Sequence, residues 1–404
     1  MSVDRARLER HIAELSAIGG TGTSVTRLGL SPEEQRARDL VGGWLRARGA
    51  TVRRDAAANI YGRFGGPGPA ILVGSHIDSV PEGGRFDGAL GVLCAVEAVE
   101  ALLDDGARFK RPVEVVGWCD EEGARFGIGL FGSCAAFGRL PDGAAQRADP
   151  SGVTIADALR AIGEAGDPTA AKRASGDIAA YLELHIEQGP RLEAEGLDLG
   201  VVDAIVGIDR YDVVVHGQAN HAGTTPFNYR HDAGRAAARF IGGLRELVQG
   251  VDERMVANVG ALQLDPGAPN VVPGGARFVV EVRCPDPAAL EAVRRVLSDE
   301  LERKARDEGC TVDFAPQTSW PAMAMFPGYV AALDRVAERS GLPWRRLASG
   351  AGHDAEILAR HVPAAMLFVP SHEGISHSPL EHTDERLLAQ GCQALLDSAL
   401  EILA

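Results

Sequence analysis

At 404 residues, with 45% hydrophobic and 24% charged side chains, the chain has enough apolar content for two folded domains, and it has no apolar run near the roughly 20 residues of a membrane span. A net charge of -15 excludes a general affinity for nucleic acid or anionic membrane, both of which need a basic surface, and fits a small-molecule partner better. The opening MSVDRARLERHIAEL lacks the apolar core of a secretion signal and the six cysteines show no paired spacing, so a cytoplasmic protein with reduced thiols is expected.

Taken in chain order, apolar periodicity predicts helices near 4–18 and 32–49, a strand over 70–75 (AILVGS), a helix over 88–103 and a strand over 112–118. Helices follow up to 166, then a strand over 180–186 (AYLELHI). This alternation predicts an α/β domain with a mixed, largely parallel sheet. At Tyr211 the rhythm changes: strand, helix 231–249, strands 255–264 and 276–283, helix 287–308, strand 310–316. That is the βαββαβ order of a ferredoxin-like unit, read here as an inserted domain over 210–327. Helix 328–340, strand 364–369 and helix 384–403 then complete the first domain, which comprises 1–209 plus 328–404.

The chemistry gathers where strands end, which is where α/β folds build sites. GSHIDSV places His76 and Asp78 two residues apart, so that Asp78 can hold the far nitrogen of His76; alone, the pair also reads as structural. In GGRFDGALG, Asp87 sits just before a helix, where a capping role would also explain it. WCDEEGARFG sets Asp120, Glu121 and Glu122 side by side after an apolar strand, an arrangement that repels itself unless cations compensate. Neighbouring residues at a strand edge diverge, so one glutamate can ligate metal while the other acts as a base. YLELHIEQGP carries His185 beside Glu183, Glu187 and Gln188. GISHSPLEHT carries His377, with His372, Glu381 and His382 as neighbours whose spacing does not separate ligand from scaffold. Together His76, Asp87, Glu122, His185 and His377 are ligands enough for two divalent ions if one carboxylate bridges.

These segments, with NHAGTTP, VTRLGLS and NIYGR, resemble the N-carbamoyl-L-amino acid and allantoate amidohydrolase family, related to aminoacylase and carboxypeptidase-like metallopeptidases, nearly end to end. The resemblance implies that Asp87 bridges two divalent ions, zinc first and manganese, cobalt or nickel as alternatives, with His76, His185, Glu122 and His377 completing the set. Glu121 becomes the general base that takes a proton from the attacking water and passes it to the leaving amine, so that a ureido compound yields amino acid, ammonia and carbon dioxide. In the insert it makes His221 an oxyanion stabiliser and Asn270 and Arg283 binders of the substrate carboxylate, reaching the partner subunit's site in a homodimer paired through the lid. Gln188 and His353 in GAGHDA are further substrate contacts. Allantoate, ureidoglycine and β-ureidopropionate share the ureido carbonyl and carboxylate of a carbamoyl amino acid and are alternatives; a dipeptidase, an aminoacylase or a non-catalytic binding protein stands further off. Cys134 and Phe227 depart from the family pattern and bear on substrate choice.

Overall fold

The computed structural model describes residues 1–174 and 176–403, which leaves only Ala404 of the expected C-terminal segment and Ser175 outside. The chain opens with α1 (Arg5–Ser16), whose first turn is capped by Asp4, and α2 (Pro32–Ala47). At the start of α2, Ser31 accepts the Glu34 amide at 3.1 Å while Glu34 accepts the Leu30 amide at 2.6 Å, two otherwise unpaired donors satisfied together. Strands β1 (Thr51–Arg54), β2 (Ile60–Phe64) and β3 (Ala70–His76) follow, then α3 (Ala89–Asp104), β4 (Val113–Trp118), short helices, β5 (Ile178–Ile186) and β6 (Leu199–Ile205).

The insert contains β7 (Gly207–His216), α4 (Ala233–Gly242), a second helix over Leu244–Gln249, β8 (Val256–Asn258), β9 (Leu262–Asp265), β10 (Gly275–Cys284), α5 (Pro287–Asp307) and β11 (Thr311–Trp320). The chain then runs through β12 (Met323–Ala324), α6 (Pro327–Ser340), β13 (Trp344–Ser349), α7 (Asp354–Ala359), β14 (Ala364–Val369) and α8 (Glu385–Leu403).

Two compact units result. The first comprises Met1–Asp203 with Ala324–Ala404, and the second Ala204–Met323. Its limits fall a few residues before the expected 210 and 327: its first strand starts at Gly207, not Tyr211, and Met323–Ala324 already pairs in the sheet of the first unit. In the first unit the sheet order is β12-β6-β14-β5-β3-β4-β2-β1, with β13 also on β6. β14, β5, β3 and β4 run parallel, whereas β6 and the β2–β1 hairpin are antiparallel to their neighbours, so the sheet is mixed. β3, β4 and β14 are buried along their whole length, as strands covered on both faces must be. α3 is correspondingly buried from Ala89 to Leu102, its two buried glutamates, Glu97 and Glu100, paired with Arg7.

The second unit is an antiparallel sheet, β8-β10-β7-β11 with β9 also on β10. Alternate residues Phe278, Val280 and Val282 of β10 pack with Val213, Phe240, Val293 and Leu297 in its own core. The single helix expected over 231–249 is two helices broken at Gly242–Gly243, and the strand expected over 255–264 is interrupted between Asn258 and Leu262. Glycine is among the poorest helix formers, which accounts for the first break. The β1–β2 hairpin, β6 and β13 are elements beyond those expected. All six cysteines are buried and free, and among the described residues no helix is long and apolar enough to cross a membrane.

Candidate metal centre

At the C-terminal ends of β3, β4 and β5, and in loops 77–88 and 370–384, four carboxylates and three histidines of the first unit converge. His76 ends β3 and keeps Nδ1 3.2 Å from the main-chain oxygen of Asp78. A carbonyl only accepts, so Nδ1 carries the hydrogen and Nε2 turns a lone pair toward Asp87 Oδ1 and Glu121 Oε2, each 3.7 Å away. His185 on β5 is fixed in the same way: Nδ1 lies 2.9 Å from Ile186 O, and Nε2 lies 3.3 Å from Asp87 Oδ1 and receives the Gly88 amide at 3.1 Å. The other oxygen of Asp87, Oδ2, lies 3.3 Å from His377 Nε2, which is 3.4 Å from Glu122 Oε2.

Asp87 is therefore shared by two triads, His76–Asp87–His185 and Asp87–Glu122–His377, whose donor atoms lie within 4.8 Å of one another in each group. Ligands about 2.1 Å from a tetrahedral ion are about 3.4 Å apart, close to the spacings found. Glu122 Oε1 is buried without a hydrogen-bond partner, an acceptor still to be satisfied. The residues fit a pair of divalent cations with Asp87 between them.

The electrostatics point the same way. Burial, followed by the charge of Asp87, pushes Glu122 up to about 7. Burial raises Glu121 well above the ordinary carboxylate range. The Asp87 hydrogen bond, the largest cause, together with the charges of Glu122 and Asp87, lifts His377 to about 9. For Asp87, burial works in the opposite direction, but the hydrogen bonds that His185 and His377 donate when their rings are protonated prevail and hold it well below its usual range. Metal-free, the cluster gathers protons against its own negative charge, and cations are the natural replacement for them.

Asp78 orders the surroundings: its carboxylate accepts the Glu121 amide at 3.0 Å and the Glu122 amide at 3.1 Å, and lies 3.4 Å from His76 Nδ1. Gln188, with φ of 55°, donates its amide to Asp87 Oδ2 at 2.8 Å, so in this structure it contacts the carboxylate shared by the two triads. Glu183, His185 and His353 form a third close group. Glu183 already accepts from Ser75, Tyr181 and the Ala355 amide, and His353 Nε2 pairs with Ser349 Oγ at 2.8 Å, so this group is a packed support behind His185 and not an open site. Burial holds His353 neutral.

Of the sequence-singled residues, His76, Asp78, Asp87, Glu121, Glu122, His185, Gln188 and His377 meet in one place, with His353 behind it. His221, Asn270 and Arg283 belong to the second unit. There exposed His221 lies on a short antiparallel bridge with Val271, and the Ala222 amide donates to Asn270 O at 3.0 Å. Arg283 on β10 donates to Glu281 at 2.9 Å. Ser376, whose hydroxyl donates to Asp87 Oδ2 at 2.7 Å, is a site residue that its sequence surroundings do not single out.

Comparison with known proteins follows the same lines. The model of peptidase family M20/M25/M40 matches residues 72–401. The chain is 38% identical over 395 residues to an N-carbamoyl-L-amino-acid amidohydrolase of Paenarthrobacter aurescens, covering 96% of each. It is 37% identical over 396 residues to an allantoate amidohydrolase of Escherichia coli (strain K12), covering 97% of this chain and 96% of the relative. A crystal structure of a hydantoinase/carbamoylase family amidase from Burkholderia ambifaria superposes with a TM-score of 0.92 at 40% identity, covering 99% of this chain and 97% of that one.

Proposed function

Since the chain belongs to peptidase family M20/M25/M40 and is a metal-dependent hydrolase of amides, we propose that it cleaves the ureido C–N bond of N-carbamoyl-L-amino acids. The observation that carries this reading is the pair of triads sharing Asp87, with the enclosed carboxylate of Glu121 beside them. His76, Asp87 and His185 would hold one divalent cation, and Asp87, Glu122 and His377 the other. When bound, the cations lower the pKa of water, polarise the ureido carbonyl and neutralise charge that develops on its oxygen.

Glu121 takes the proton of the attacking water and delivers it to the departing nitrogen. Asp78 fixes the backbone from which Glu121 and Glu122 project and holds His76 in its ligating tautomer. Collapse gives the amino acid and carbamate, which decomposes to ammonia and carbon dioxide. In this reading the second unit is a ferredoxin-like lid that also forms a homodimer. Its His221 supports the oxyanion, and Asn270 and Arg283 bind the substrate carboxylate, for which a planar guanidinium is well shaped. Gln188 contributes to the substrate side of the same site, and His353 supports His185 from behind.

Allantoate is the second reading, favoured by a relative of that name at 37% identity, and both substrates present a ureido carbonyl and a carboxylate. The deciding experiment is ammonia release by metal-reconstituted protein from N-carbamoyl-L-amino acids, allantoate, β-ureidopropionate and N-acetyl amino acids, before and after chelation. Chelator-sensitive release from a carbamoyl amino acid is the expected result. Preference for allantoate moves the substrate, and release from none of the ureido compounds overturns the proposal.

A further inference from the structure

The loop that carries Asp87, which runs into the first turn of α3, and the loop that carries His377 are nearly 300 residues apart in sequence, and among the described residues no strand pairing joins the two where they meet. Glu381 joins them. Its side chain is 6% exposed. Oε1 accepts the main-chain amides of Phe86 at 2.8 Å and Asp87 at 3.2 Å, and Oε2 lies 3.0 Å from Ser376 Oγ. Ser376 Oγ in turn lies 2.7 Å from Asp87 Oδ2. One carboxylate thus grips Asp87 through its backbone, while the one hydrogen of Ser376 goes to Asp87 Oδ2 and the hydroxyl completes a link to Glu381 only when Glu381 Oε2 carries a proton and donates to it.

Two further observations support this arrangement. A Cβ on Gly84 would fall 2.1 Å from Glu381 Oε1 and Cδ, so glycine at 84 admits the carboxylate. His377, next to Ser376, has φ of 54°, a conformation an L-residue rarely adopts without outside support. We propose that Glu381, with Ser376, is a positioning residue that sets the bridging carboxylate of Asp87 and the His377 loop at the spacing needed for two cations. This inference rests on the metal-dependent reading above and assigns Glu381 no contact with substrate.

The test uses the full chain and its variants Glu381→Ala, Glu381→Gln and Ser376→Ala, each stripped of metal and titrated with zinc against a chromophoric chelator, with the metal-free melting temperature recorded alongside. Glu381→Ala is expected to weaken two-ion uptake 10- to 100-fold, as loss of a residue that orients ligands does. Glu381→Gln should stay within a few-fold of wild type, because its amide oxygen still accepts the two backbone amides and its nitrogen can donate to Ser376. Ser376→Ala should fall between them. Uptake of two ions by Glu381→Ala at wild-type affinity would overturn the proposal and leave the hydrolase reading intact, whereas failure of the wild type to take up metal would overturn both. If Glu381→Ala does not fold, the other two decide: Ser376→Ala at wild-type affinity, or Glu381→Gln weakened 10-fold or more, overturns it.

Discussion

Glu121 is almost enclosed, and its carboxylate lies 3.7 Å from a histidine nitrogen whose lone pair faces the cation site. Burial raises its pKa, and cations beside it would lower that value again, leaving a base ready at neutral pH. Glu121→Gln is expected to reduce turnover by roughly 10²- to 10⁴-fold while zinc uptake and the melting temperature stay near wild type. Loss of metal in that variant would make Glu121 a structural group. A different residue sets part of the acid response. His11 stacks on Trp44 at 4.1 Å between ring centroids, its Nδ1 is buried without a partner, and burial lowers its pKa from 6.5 to about 4. Between those values the unfolded chain binds a proton that the folded chain refuses, so stability falls as pH drops from 6.5 toward 4 and is unaffected by this group above that window. His11→Phe keeps the stack and should hold on the order of 1 kcal/mol more stability than wild type at pH 5, relative to pH 7.5, in urea unfolding. At this scale His76, Asp87, Glu122 and His185 were legible because each stands at a strand end or next to glycine, and His377 because its loop follows the apolar strand AAMLFV. Ser376 and the partners of Glu381 were not, since nothing local to GISHSPLEHT says that residues 86 and 87 lie against it.

Between the strand that ends in His76 and the helix that follows Asp87, one glycine defines the geometry. Gly88 precedes α3 with φ of 61°, and a Cβ there would lie 2.2 Å from His76 Nε2. Gly88→Ala is expected to displace the imidazole and weaken zinc binding at least 10-fold by calorimetric titration, with the α-helical circular dichroism signal little changed. Unchanged affinity would mean that His76 does not hold the ion. The strands that position the site were readable because they are buried on both faces and appear as unbroken apolar runs, such as AILVGS and AAMLFV. β1, with two arginines in four residues, and β13, WRRLAS, carry no such run, and their pairing is a property of neighbours far away in sequence. The helix over 231–249 was overextended because its apolar face continues past Gly242–Gly243 while its backbone does not.

All the residues that would hold cations belong to the first unit, and the second has its own core. Chelation should therefore lower the stability of the first unit by about 4 kcal/mol if the free ion is 1,000-fold above its Kd, and leave the second unaffected. Hydrogen exchange resolved by segment checks this: faster exchange in β3, β5 and β14 after chelation, with β7 and β10 unchanged. Equal loss of protection in both units would show that they unfold as one. The alternation that announces the first unit and the change of rhythm at Tyr211 were visible in sequence; the order of strands was not. β14 lies between β5 and β6, although the whole insert separates it from them in the chain. On the ribosome β5 is complete while β14 is still untranslated, and at about 5–20 residues per second that interval lasts roughly ten to forty seconds. Throughout it one edge of β5, apolar and already carrying His185, has no strand to pair with, so the nascent chain exposes a template for wrong partners until Ala364–Val369 is made. Its yield in a cell should depend on holding chaperones far more than its finished stability would suggest.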